Sequence, residues 1–190
     1  MKHKLLRSQA EQIAADFLTA LRPFCERAEV AGSLRRGKAE VGDIEIVAQP
    51  ILRPVRGLFG DVMGMENALE TFPWAAWGQI VKSGPRYKQL ITPQGPKCAT
   101  LDVFIVLPPA QWGLIYLLRT GPADFSRWVV TPRRKGGGLP SHLRVKDGAI
   151  WSGKEIIPTP TEADVFRLLG MDYIPPAQRK PLWSTRKEVA

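Results

Sequence analysis

The sequence predicts an α+β fold: a mixed sheet flanked by helices, followed by a small C-terminal α/β lobe. Three observations predict it. An amphipathic helical pattern opens the chain, several short alternating strands fill its first half, and a hairpin-plus-helix pattern follows a run of three glycines.

Apolar residues at Ile13, Ala14, Phe17, Leu18 and Leu21 recur at helical spacing, and Ser8-Gln9-Ala10-Glu11 has the form of a capping box that would open this helix. Pro23 ends or bends it. Glu29-Val30-Ala31 reads as a short strand running into Gly32-Ser33. Over 41–48, Asp43 and Glu45 alternate with Ile44 and Ile46, as in a half-buried strand, and Pro50 and Pro54 stop it. Residues 65–72 read as a short helix. Two strands over 86–92 and 99–107 flank the turn signal Pro93-Gln94-Gly95-Pro96. Residues 112–119 form a helix, and another begins at 125–130. Gly136-Gly137-Gly138 reads as a flexible break, dividing the chain into a core over 1–135 and a lobe over 136–190. Within the lobe, 145–151 form a hairpin about Asp147-Gly148, and 161–169 form a helix capped by Thr161 and stopped by Gly170.

Lysine and arginine number 27 against 18 acidic residues, a net charge of +9. Such an excess suits a polyanionic partner, most simply nucleic acid, although a soluble protein can also be merely basic. No apolar run is long enough for a membrane span, and the first residues turn polar too soon for a secretion signal, so a cytoplasmic or nucleoid location is expected. Cys25 and Cys98 stand in no metal-binding or redox motif and read as two buried free thiols. His3 and His142 are far apart, and no motif supports histidine catalysis.

The carboxylates carry the chemistry. Residues two apart on a strand face the same way, so Asp43 and Glu45 project side by side and repel unless a cation bridges them. Oxygen-only ligands favour Mg²⁺. Asp102, within the apolar strand Leu101-Asp102-Val103-Phe104, is costly there without a partner, and a neighbouring strand bringing it beside Asp43 would supply one as shared metal. Three carboxylates can hold two ions about 4 Å apart, the arrangement used for in-line phosphoryl displacement. A bare D-x-E is more often a solvated face, but Gly32-Ser33 precedes this one. Glycine lets backbone approach a phosphate, serine offers N–H and hydroxyl donors, and Arg36 adds a fixed positive charge. The plainer reading of Gly32-Ser33 is a turn and helix cap.

The string AGSLRRGKAEVGDIEIV resembles the family X polymerases of the DNA polymerase beta superfamily, which carry a Gly-Ser followed by a paired-carboxylate motif. LDVFIV resembles the strand bearing that family's third metal-binding aspartate, RTGPADFSR its segment touching the incoming nucleotide, and TEADVFRLLGMDYIPPAQR its thumb ending. The resemblance implies a nucleotidyltransferase palm with a thumb-like lobe, using two Mg²⁺ ions with Mn²⁺ able to substitute. It implies that Asp43 and Glu45 bridge both metals and Asp102 binds the catalytic one. Gly32, Ser33 and Arg36 would hold the β- and γ-phosphates, Thr120 and Gly121 would pack against the sugar, Ser126 would add a nucleotide contact, and Arg127 would lie near the templating base or minor groove. Arg133, Arg134, Lys135 and Arg179 would contact DNA, with RNA an alternative, and Trp128, Trp151 and Trp183 are candidates for base stacking though more often core residues. The implied partners are a nucleoside triphosphate and a primer–template, met by a monomer.

This chain departs from the family pattern at Glu45 for aspartate, Pro122 for serine, Ser126 for asparagine, Leu118-Arg119 for a Tyr-Phe pair that reads the sugar, and Thr100 for a basic residue. With fewer than 30 residues before the strand leading to Gly32, a minimal polymerase without the family's amino-terminal lyase domain is expected. The competing enzyme reading is a nucleotidyltransferase acting on RNA, protein or a small molecule. A non-catalytic nucleic-acid-binding module is disfavoured, because three clustered carboxylates would serve no purpose beside DNA.

Overall fold

The computed structural model describes residues 4–93 and 98–180 and resolves them into two compact units. The core of the expected turn after Pro93, His3, Trp183 and the basic residues Arg186 and Lys187 lie outside the described residues.

The first unit comprises residues up to Val30 together with Glu40–Ile105. Strand β1 (Leu5–Leu6) leads into helix α1 (Arg7–Leu21), and β2 (Cys25–Val30) follows a 3₁₀ turn containing Pro23. Next come β3 (Glu40–Val41), β4 (Ile44–Pro50), β5 (Leu52–Arg56), β6 (Val62–Asn67), β7 (Gln79–Gly84), β8 (Tyr87–Thr92) and β9 (Ala99–Ile105). Five of these form one sheet in the order β2-β4-β9-β8-β7, with β4 and β9 parallel and the other pairs antiparallel. The sheet is thus mixed, as expected. Ala10, Ile13, Ala14, Phe17, Leu18 and Leu21 are the buried stripe of α1, at the spacing read from the sequence. Phe17 meets Phe72 at 5.8 Å and Trp77 at 5.0 Å between ring centroids, and Phe72 meets Trp74 at 4.7 Å. Truncating a ring such as that of Phe17 in a core of this kind costs about 3–5 kcal/mol.

Several local expectations fail for identifiable reasons. Helix α1 starts at Arg7, so Ser8 is not its cap; the Gln9 side chain instead accepts from the Leu6 backbone N–H at 3.2 Å. Residues 65–72 are not a helix. Met65 belongs to β6, and only Ala68–Thr71 turns, as a 3₁₀ segment capped by Asn67. Pro54 lies inside β5 rather than ending a strand, in a two-stranded ribbon where a missing N–H is tolerated. The cysteines are free but not both buried. Burial pushes the half-buried Cys25 thiol up to about 12, whereas Cys98 is exposed.

The second unit comprises Ala31–Ala39 and the chain from Val106 onward. It holds α2 (Gly32–Arg35), α3 (Trp112–Thr120), α4 (Ala123–Val130), a three-stranded sheet of β10 (Leu143–Lys146), β11 (Ala149–Ser152) and β12 (Glu155–Ile157), and α5 (Glu162–Leu168). Asp147 and Gly148, both at positive φ, make the hairpin turn as expected, and the Thr161 hydroxyl caps α5 while the Asp164 carboxylate accepts from the Thr161 N–H at 2.9 Å.

The division falls at Ile105, well ahead of the glycine run, because one core spans that run: Leu114, Leu117, Phe125 and Val129 pack with Leu139, Leu143, Ile150, Val165 and Phe166. Nor is the run a flexible break. A Cβ on Gly137 would sit 1.9 Å from the Thr131 carbonyl oxygen, and one on Gly138 would sit 2.4 Å from the Trp128 ring. Glycine stands there for close approach.

The polar centre of this unit is Glu162, 6% exposed. Arg35 grips it in a bidentate pair at 2.8 and 2.7 Å, and Arg179 adds a third hydrogen bond at 2.7 Å. The Arg35 guanidinium also lies 3.8 Å from the Tyr116 ring centroid. Burial alone would raise the Glu162 pKa; hydrogen bonds and charge from Arg35 and Arg179 outweigh it and hold the carboxyl below its usual range. Glu162→Gln would strand two guanidinium groups and is expected to destabilise the protein by roughly 3–5 kcal/mol at neutral pH in urea unfolding. Because the folded pKa is the lowered one, the carboxylate's contribution is complete above the unfolded value of about 4.3 and is lost as pH falls through the folded value. The variant should therefore show a flatter fall in stability over that acid range than the wild type, and an unchanged acid profile would refute the assignment.

Candidate active site

One face of the five-stranded sheet carries the acids. In the β4–β9 register Glu45 lies opposite Asp102, and in the β8–β9 register Gln89 lies opposite Asp102 and Tyr87 opposite Phe104. Partners in register share a face, so Glu45, Asp102, Gln89 and Tyr87 all stand on one side, while Ile44, Ile46, Leu101 and Val103 bury themselves on the other. Asp43 occupies the bend just before β4. Asp102 is 8% exposed, and its Oδ1 accepts from the Tyr87 hydroxyl at 2.6 Å and the Gln89 amide at 2.9 Å. Register therefore brings Glu45 and Asp102 together. Among the described residues, no three acidic, histidine or cysteine side chains are gathered closely enough to hold a metal ion.

In the second unit, Gly32 opens α2 at φ 60°, a left-handed conformation that favours glycine. The Ser33 hydroxyl beside it is buried, with no hydrogen-bond partner among the described residues. Arg36 donates to the Thr120 carbonyl at 2.6 Å, and Arg35 donates to the Thr120 hydroxyl at 2.6 Å. Thr120 is fully buried. The Gly121 N–H closes α3 on the Leu117 carbonyl, and a Cβ there would press on Phe125 and Ser126 at 2.8 Å. The Ser126 hydroxyl donates inward to the Leu118 carbonyl at 2.7 Å.

The basic residues divide into two kinds. Arg127, Arg133, Arg134 and Lys135 are exposed. Arg133 donates to the Gly138 carbonyl at 3.2 Å and the Leu169 carbonyl at 2.6 Å, tying the chain end of α5 in place. Arg179 is not part of a basic surface: it is 2% exposed, bonded to Glu162 and the Ile174 carbonyl. Trp128 covers Gly138, and the Trp151 indole donates to the Lys146 carbonyl. Sequence reasoning missed Arg35, Glu162, Tyr87 and Gln89. Arg35 stood beside Arg36 in the matched string, and both in fact reach Thr120. For the others no local signal existed, because strand register and helix docking place them.

Residues 116–180 match the family model described as DNA polymerase beta thumb, a segment starting inside α3 and ending past Arg179. The chain is 31% identical to DNA polymerase lambda of Rattus norvegicus over 160 residues, 78% of this chain and 28% of that protein. It therefore spans a little over a quarter of that relative's length. With the thumb segment and the greater part of the chain both matched, the protein is family X polymerase-like.

Proposed function

We propose that this protein is a polymerase-type nucleotidyltransferase that uses divalent metal to extend a DNA primer. A primer 3′-oxygen bonds to the α-phosphorus of a nucleoside triphosphate, the bond from that phosphorus to the β-phosphate oxygen breaks, and pyrophosphate leaves. The observation that carries the reading is Glu45 set opposite Asp102 by the β4–β9 register, in a chain 31% identical to a DNA polymerase.

The donor set suits a hard divalent cation. Its ligands are carboxylate oxygens alone, two of them are adjacent in register, and Asp102 is oriented by two donors. In this reading Glu45 and Asp102, joined by Asp43 when the cations draw the three together, would hold two Mg²⁺ ions, with Mn²⁺ able to substitute, and such ions would acidify the attacking hydroxyl and neutralise the triphosphate. Gly32, Ser33 and Arg36 take phosphate oxygens. A buried hydroxyl without a partner costs about 1–3 kcal/mol, which a phosphate oxygen at Ser33 would offset. Gly121 lies against the sugar, whereas Thr120, fully buried with its hydroxyl bonded to Arg35 and its carbonyl to Arg36, serves the fold. Arg127, Arg134 and Lys135 meet nucleic-acid phosphates, the exposed Arg133 adds its charge while bonding the Gly138 and Leu169 carbonyls, and the buried Arg179 serves the fold.

Asp102→Asn keeps the size and the acceptor for Tyr87 and Gln89 but loses the charge. Primer extension in Mg²⁺ is expected to fall roughly a thousandfold or more, several kcal/mol of barrier, with the unfolding midpoint little changed. Extension at wild-type rate by a folded Asp102→Asn protein would sink the reading. Replacing Arg127, Arg134 and Lys135 together by glutamine should weaken duplex binding at low salt and flatten the log–log salt slope by about 0.9 for each phosphate that is no longer neutralised. A slope identical to wild type would remove these residues from the interface.

A further inference from the structure

Asp102 is held by protein before any cation reaches it, and both of its donors take the same oxygen. Tyr87 and Gln89 occupy alternate positions on β8, so both reach Asp102 from the same sheet face. The Tyr87 ring is itself fixed, stacked on Phe104 at 5.2 Å with an interplanar angle of 28°, and the Lys82 amine lies 5.9 Å from its centroid. The terminal torsion of an aspartate is broad and roughly two-fold, so an unheld carboxylate samples many orientations. Two donors on Oδ1, at 2.6 and 2.9 Å, remove that freedom and turn Oδ2 into the oxygen outside these bonds.

We propose that Tyr87 and Gln89 are positioning residues for divalent-cation binding: by fixing Oδ1 of Asp102 they present Oδ2 to the cation in one orientation. The proposal rests on the reading of Asp102 as a metal ligand. Partners that orient a metal ligand typically change metal affinity by 10–100-fold when removed.

The test is binding of Mn²⁺ alone to the full chain without nucleotide, followed by the electron paramagnetic resonance signal of the free ion. Tyr87→Phe, Gln89→Leu, the double variant and Asp102→Asn are compared with wild type, and urea unfolding of each establishes that it is folded. The expected result is that Asp102→Asn loses the site, each single variant binds Mn²⁺ about tenfold more weakly, and the double variant about a hundredfold. Each single variant should raise the Mn²⁺ concentration needed for half-maximal primer extension while keeping the rate at saturation within a fewfold. Tyr87→Phe removes only the hydroxyl, so it keeps the stacked ring and tests the hydrogen bond should Gln89→Leu fail to fold. If Asp102→Asn abolishes binding while both single variants bind like wild type, the positioning role is wrong and the metal reading stands. If Asp102→Asn binds Mn²⁺ like wild type, or wild type binds none at millimolar Mn²⁺, the metal reading fails and the positioning role goes with it.

Discussion

Glu45 stands opposite Asp102 because β4 and β9 pair in parallel at one register, and that register is held from the other side of the sheet. Ile44, Ile46 and Ala48 on β4 and Leu101, Val103 and Ile105 on β9 are all nearly or fully buried. A slip of one residue would turn each strand over, exposing these side chains and driving a carboxylate into the apolar layer. Burying an unpaired charge there costs far more than any single apolar neighbour returns. The same hydrophobic pattern that stabilises the sheet therefore fixes which acids are neighbours, and no dedicated interaction between them is needed to set their spacing.

That dependence explains what the sequence revealed and what it withheld. Period-two alternation around Glu45, and the apolar surroundings of Asp102, are enough to place these two acids on strands. Their partnership was an inference from motif order, which the pairing of β4 with β9 now supplies for Glu45. Asp43 lies in a bend, where strand phase no longer dictates direction. Tyr87 and Gln89 were invisible because an antiparallel neighbour's register cannot be read from a single strand. The β5–β6 ribbon was missed for a different reason: Leu58 is fully exposed and Phe59 nearly so, and such apolar residues in a turn defeat any rule that equates hydrophobicity with burial.

The glycine run and the arginines show two further limits of composition. Gly136-Gly137-Gly138 reads as flexibility on its own, yet at Gly137 and Gly138 the absent Cβ is what admits Thr131 and Trp128. Arg179 reads as solvated charge beside other basic residues, yet its guanidinium completes Glu162. Glu162 itself occupies the first turn of α5, where an acid is ordinary by the helix-dipole argument, and nothing nearby announces that two arginines distant in sequence converge on it.

This partition bears on how the charge of +9 acts. A net charge counts every arginine alike, but Arg35 and Arg179 share the single carboxylate of Glu162, and Arg36 and Arg133 donate to backbone carbonyls. Their charges are felt at a distance, attracting a polyanion and raising its local concentration, but their hydrogen-bonding capacity is partly committed to the fold. On the proposed function, direct phosphate binding and the counterion release that accompanies it would come from exposed side chains such as Arg127, Arg133, Arg134 and Lys135. On that reading, more arginines contribute to the long-range attraction of nucleic acid than are available to hold it. On the proposed polymerase reading, a protein built this way would gather its polyanionic partner readily and let it go readily, which would favour adding one or a few nucleotides per encounter over sustained travel along a strand.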